Sequence, residues 1–271
     1  MEYIEAFLLG LLQGITEFLP VSSSGHLVLA GALLQSELAP GITFEIVVHF
    51  GSFCSIVVYF RQRIWLILSD MLKSFSPEGI RSKRFMSDAN TRISMIILIS
   101  MIPAGVVYIF MKDSIENLFF NPFMVSFMLL ITGALLFSTK FVVNPQKEVD
   151  LKRGIIMGLA QAFALLPGIS RSGSTISAGL ISGVNRDSVA NFSFLMVLPV
   201  LGGAMLYDLT RIVGSGIDSV IIINLFIGFL TSFISGYFAL KYLIILLKKE
   251  KIHYFAYYCW GVGIFGLFYF S

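Results

Sequence analysis

Two stretches of this chain carry residue types that could do chemistry. The first runs Gln13-Gly14-Ile15-Thr16-Glu17-Phe18-Leu19-Pro20-Val21-Ser22-Ser23-Ser24-Gly25-His26 and sets a carboxylate, three consecutive hydroxyls and an imidazole inside otherwise apolar sequence. The second runs Pro167-Gly168-Ile169-Ser170-Arg171-Ser172-Gly173-Ser174-Thr175 and places an arginine among hydroxyls and glycines. Ionisable groups in such surroundings are expensive to bury and mark function by default.

The two kits are complementary. Gln13 and Glu17 lie one helical turn apart, so both face one side and offer oxygens to a hard divalent cation, Mg²⁺ first and Ca²⁺ as the alternative; Mg²⁺ commonly takes one or two carboxylates plus substrate phosphate. His26 could be a nucleophile, or a base that activates Ser22 or Ser23. Arg171 is the one arginine in the apolar segments without an obvious path to either surface, and its fork of donors needs an anion such as phosphate or carboxylate. Ser170, Ser172, Ser174 and Thr175 add neutral donors around it, Gly168 and Gly173 let backbone approach a ligand, and a helix starting near Gly173 would aim free N–H groups there. A plainer reading stands beside each: Arg171 paired to a structural carboxylate, His26 bonded to backbone, and the serines as helix caps. Glu45 and His49, four apart, are balanced between facing this site and sitting at a membrane interface.

The elements that must hold these groups follow from composition and from breaks in the apolar pattern. Over 271 residues the chain is 56% hydrophobic and 13% charged with a mean hydropathy of +0.86, which excludes a soluble domain and indicates an integral membrane protein. Its apolar runs are continuous, favouring a helix bundle over a β-barrel. Met1 to Glu5 carries Glu2 and Glu5 in place of a basic leader, so the first helix is expected to stay. Cys54 and Cys259 lie in apolar runs as small hydrophobes, with neither a disulfide nor a metal site suggested, and no nucleic-acid partner is expected.

Ile4 to Leu19 and Leu27 to Leu34 are too short to span, because about 20 residues are needed. Pro20 ends the first run and Ser22 to Ser24 can cap the second, which reads as a re-entrant hairpin. Spans are expected at Phe44 to Phe60, Ile93 to Met111 and Phe123 to Val143. Ile155 to Leu166 and Ile176 to Ser182 then form a second hairpin, followed by spans at Phe192 to Leu209, Val220 to Leu247 and Tyr254 to Phe270. A shift of 148 positions pairs Gly10 with Gly158, Gln13 with Gln161, Ser22 with Ser170, Ser24 with Ser172, Gly25 with Gly173, Gly31 with Gly179, Phe44 with Phe192 and Arg63 with Arg211. The expected fold is therefore an all-α membrane domain over residues 1–271, an inverted repeat of residues 1–143 and 154–271, each half one hairpin plus three spans. If Arg61 to Arg92, with Lys83, Arg84 and Arg81, is cytoplasmic, 15 basic residues lie inside and only Lys112 and Arg211 outside. That asymmetry places both termini and the Lys112 to Asn121 loop outside. Trp65, Tyr254, Tyr257, Tyr258 and Trp260 are expected as interfacial anchors.

At these two motifs the chain resembles the undecaprenyl-diphosphate phosphatases of the bacitracin-resistance family, and the likeness covers nearly its whole length. The resemblance implies hydrolysis of the lipid-carrier diphosphate to its monophosphate in the bacterial cytoplasmic (inner) membrane, at a site open to the extracytoplasmic side, supporting cell-wall polymer synthesis. It implies a catalytic set of Glu17, Ser22, Ser23, His26 and Arg171, substrate contacts from Ser170, Arg171, Ser172, Gly173 and Thr175, and a divalent cation on Gln13 and Glu17. Many members carry glutamate where this chain has Gln13, leaving Glu17 the sole carboxylate of the pair and inviting Glu45 as a substitute ligand. Histidine attack and serine attack both fit; the reading favours Ser23 or Ser22 activated by His26. A polyprenyl diphosphate and the bilayer are the implied partners, and a homodimer is compatible with the pattern. The competing reading is a flippase for the lipid phosphate, since inverted repeats with broken helices are transporter architecture. The clustering of His26, the serines and Glu17 favours chemistry.

Overall fold

A computed structural model describes residues 3–34, 42–81, 88–212 and 219–271, with side chains throughout except at 34, 42, 80–81, 204–212 and 219–221. Lys83 and Arg84, and the side chains of Arg81 and Arg211, thus lie outside the described residues. In order the helices are α1 Tyr3–Phe18, α2 Ser23–Leu34, α3 Ile42–Tyr59, α4 Arg61–Ser74, α5 Pro77–Arg81, α6 Ala89–Leu118, α7 Pro122–Ser138, α8 Leu151–Phe163, α9 Arg171–Ile181, α10 Arg186–Ile212, α11 Ser219–Lys248 and α12 Phe255–Tyr269. Short 3₁₀ turns at Thr139–Phe141 and Ile252–Tyr254 complete them, and no strand is present among the described residues. Three helices, Ala89–Leu118, Pro122–Phe141 and Ile222–Lys248, are long and apolar enough to cross a membrane, and α3 with α4 makes a fourth candidate bent by 75°.

Both expected helix breaks are present. α1 stops at Phe18, Leu19 to Val21 turn, and α2 starts at Ser23. α8 stops at Phe163, and α9 starts at Arg171 with Ser170 as its cap, the Ser170 hydroxyl accepting from the Gly173 N–H at 3.1 Å. Arg171 is thereby the first helical residue, ahead of the expected start near Gly173.

Two connections differ from expectation. The segment read as a Lys112 to Asn121 loop is helical to Leu118, because Lys112 and Glu116 pair across one turn at 3.7 Å and nothing breaks the helix before Asn121, which precedes Pro122. The Arg61 to Arg92 segment is mostly helical too: the chain bends at Phe60 and continues as α4 and α5, with residues 82–87 outside the described set.

The two broken helix pairs each pack on a helix distant in sequence. α1 packs along α11, and α8 along α6. Both seams run on small residues: Gly10 and Gly14 face Thr231, Ser232, Ser235 and Gly236, and Gly158 faces the Ser100 backbone. Close backbone approach of this kind is how helices associate where no hydrophobic force acts between them. Phe18, Ile56, Phe60, Phe192, Phe194 and Leu240 form a continuous buried core that carries the end of α1 and the tip of the second hairpin.

Candidate active site

The two hairpin tips touch. A methyl group added to Gly25 would sit 3.1 Å from the Gly168 Cα, and one on Gly173 3.3 Å from the Pro20 ring. Gly168 itself has φ +91°, a conformation that favours glycine, and its carbonyl accepts from the Thr132 hydroxyl at 2.8 Å. The same Thr132 oxygen accepts from the Ser170 N–H at 3.0 Å, so one α7 side chain pins both sides of the second tip.

Glu17 is the centre of what the tips bring together. Its Oε1 accepts from Arg171 Nη2 at 2.8 Å, and its Oε2 accepts from the Ser23 hydroxyl at 2.8 Å and from Gln13 Nε2 at 3.1 Å. His49 Nδ1 stands 3.9 Å from that Oε2 and 2.8 Å from Gln13 Nε2, so α3 enters the site as well. Arg171 lies over the Phe194 ring at 5.9 Å, a face that suits a guanidinium. With side chains of Glu17 and Arg171 only 10% and 15% exposed, the pair sits in a low-dielectric setting where its charges act strongly.

Two buried atoms here have no partner: Arg171 Nη1 and Gln13 Oε1. An unsatisfied buried donor and acceptor are unfavourable, and both are explained if a ligand completes them. The free N–H of Arg171 suits a phosphoryl oxygen, while at the start of α9 the Gly173 and Ser174 N–H groups are taken by Ser170. Gln13 Oε1 and Glu17 together are one amide oxygen and one carboxylate, a donor set that Mg²⁺ accepts when substrate phosphate supplies further ligands. No group of three His, Cys, Asp or Glu that could hold a metal exists among the described residues.

Several expected residues bond within the fold. His26 does reach back to Ser22, but to its carbonyl: Nδ1 lies 2.8 Å from the Ser22 oxygen and Nε2 2.8 Å from the Tyr258 hydroxyl. Both ring nitrogens are therefore engaged, while the Ser23 hydroxyl is engaged by Glu17. Ser22 caps the start of α2 by accepting from the Gly25 N–H at 3.3 Å. Thr175 bonds the Arg171 carbonyl at 2.9 Å and Ser193 at 2.6 Å, on the packed side of α9. Ser172 lies 3.3 Å from the Ser170 hydroxyl at the cap. Glu45 is exposed on α3. Thr132 and Phe194 carry no motif that would have singled them out.

The family described as bacitracin resistance protein BacA matches residues 6–265. A Bacteroides fragilis protein named undecaprenyl-diphosphatase is 44% identical over 269 residues, 97% of each chain. Proteins of the same name from Halothermothrix orenii and Methanobrevibacter smithii are 39% and 38% identical, each over 97% of this chain and 96% of their own. With its two hairpin tips joined through Glu17, Ser23 and Arg171, the chain belongs to the bacitracin resistance protein BacA family.

Proposed function

We propose that this protein hydrolyses undecaprenyl diphosphate to undecaprenyl phosphate and phosphate, the activity its relatives are named for, returning the lipid carrier to cell-wall polymer synthesis. The observation that carries the mechanism is the Ser23 hydroxyl held on one oxygen of Glu17 while Arg171 holds the other. In this reading Ser23 Oγ attacks the terminal phosphorus as its proton passes to Glu17. The bridging P–O bond breaks, the prenyl monophosphate leaves with that proton, and phosphoserine remains. Water then attacks phosphorus, giving its proton to Glu17, and the Ser23 oxygen departs reprotonated. Arg171 Nη1 balances the charge on the phosphoryl oxygens throughout. A divalent cation, Mg²⁺ or alternatively Ca²⁺, would be held by Glu17 and Gln13 and would add to that charge neutralisation.

The lipid nature of the substrate is supported by an apolar groove of about 240 Å³ beside His26, walled by Leu12, Leu29, Leu33, Val262 and Phe265. It is smaller than a drug-sized pocket and suits only the prenyl units nearest the diphosphate. The inverted arrangement of two re-entrant hairpins is supported by the reciprocal packing of α1 on α11 and α8 on α6. Two of the basic residues expected inside lie together across α10 and α11, where Arg186 pairs with Glu250 at 3.0 Å and Lys248 with Asp187 at 2.8 Å. The active site would then face the extracytoplasmic side of the cytoplasmic membrane.

Purified protein should release phosphate from undecaprenyl diphosphate, more slowly in excess chelator, with Gln13→Glu preserving or raising the metal-dependent rate. Unchanged turnover in chelator would leave the charge neutralisation to Arg171 alone.

A further inference from the structure

His26 sits between a carbonyl and a phenol, and that fixes what its ring can do. The Ser22 carbonyl is an acceptor only, so Nδ1 carries the hydrogen; in the neutral ring Nε2 is then the acceptor, and the Tyr258 hydroxyl donates to it at 2.8 Å. The two rings lie parallel within 5° at 5.5 Å between centroids. Ser22 needs bracing, because its φ of +70° is a left-handed conformation disfavoured for any residue with a Cβ. Its carbonyl takes the His26 backbone N–H at 3.1 Å as well as the ring, so one residue supplies both donors. Were Ser22 to relax, Ser23, the next residue, would swing off Glu17.

The far end of this strut is anchored. Next to Tyr258, the Cys259 thiol points at the Pro20 carbonyl at 3.8 Å, on the other side of the same turn. One residue further, Trp260 Nε1 donates to the Leu130 carbonyl at 3.1 Å and ties α12 to α7.

We infer that Tyr258 is a positioning residue for the reaction: by donating to His26 Nε2 it holds the ring in the tautomer whose Nδ1–H braces the Ser22 turn, and so keeps Ser23 on Glu17. The inference rests on Ser23 being the attacking group. It also makes His26 a strut, with its Nε2 lone pair occupied where a base or nucleophile would need it free.

Tyr258→Phe in the purified full chain keeps the ring and removes the donor. Its kcat for phosphate release should fall about three- to tenfold, the size of one lost hydrogen bond, with KM unchanged. His26→Ala should be slower still, and adding Tyr258→Phe to it should change nothing further, because the two act as one unit. Wild-type kcat in Tyr258→Phe, or a further loss in the double variant, would overturn the inference. ¹⁵N NMR of histidine-labelled protein, which holds three histidines, reads the tautomer directly. A hydrogen-bonded, unprotonated Nε2 on His26 that changes in Tyr258→Phe is the expected result, and an Nε2–H tautomer in the unaltered protein would overturn the inference. That readout is independent of turnover, so it separates a failure here from a failure of the Ser23 assignment, which Ser23→Ala tests.

Discussion

Arg171→Lys keeps the charge and removes the geometry. The guanidinium spends Nη2 on Glu17 Oε1 at 2.8 Å and leaves Nη1 buried and without a partner, while its central carbon lies over the Phe194 ring. A lysine amine has its three donors on one nitrogen and cannot span the two positions that Nη2 and Nη1 hold apart, so the bond to Glu17 or the one to the phosphate is weakened. Such a bond contributes about 1.5–3 kcal/mol, which converts to a loss of about ten- to a hundredfold in kcat/KM. Phosphate release at varied undecaprenyl diphosphate concentrations, with protein yield and melting in detergent as the folding control, measures it. Near-normal kcat/KM in Arg171→Lys would refute the reasoning and leave Arg171 as a counter-charge to Glu17 alone.

Three further outcomes follow from packing, charge and topology. A methyl group on Gly14 would overlap the Ser235 side chain and the Ser232 carbonyl, whereas one on Gly31 meets nothing within 4 Å; Gly14→Ala should therefore lower the melting point in detergent, by an overpacking penalty of about 1–3 kcal/mol, and Gly31→Ala should not. Asp150 caps α8, and the Arg153 backbone N–H, then its guanidinium, hold the Asp150 carboxyl below the usual range. Its folded-state value is depressed, so the cap's contribution is full above the ordinary Asp value of about 3.9 and fades as pH falls through the lowered one; Asp150→Asn should flatten that acid limb of the melting curve. In a background lacking Cys54 and Cys259, a cysteine at exposed Asn117 should react with an impermeant reagent in intact cells and one at exposed Lys251 should not; the reverse would invert the proposed orientation.

Much of the site was legible in the sequence because its parts are local. The i, i+4 relation of Gln13 and Glu17, the break at Pro20 and the Ser170 cap are all matters of one turn of chain. That an arginine in apolar sequence needs an anion pointed Arg171 towards a partner, although spacing could not say that Glu17 would be that partner. What stayed hidden depends on contacts between distant elements. Tyr258 read as an interfacial aromatic because nothing near position 258 announces a histidine 232 residues away. Thr132 looked like one more residue of an apolar span, yet it holds the second tip. His49 joins the site while Glu45, on the same face of α3 but in its first turn, is exposed, a difference of depth along the helix that spacing alone does not set. α6 runs past its apolar stretch because the polar residues at its end, Lys112 and Glu116, satisfy one another along the helix.

The central claim is that Ser23 attacks phosphorus from its place on Glu17, and phosphate release from undecaprenyl diphosphate by purified Ser23→Ala tests it most directly. The account predicts turnover at the uncatalysed background, with Ser22→Ala retaining measurable activity and any trapped adduct an acid-stable phosphoserine. Turnover by Ser23→Ala at the rate of the unaltered protein, with an acid-labile phosphohistidine trapped at His26, would contradict it.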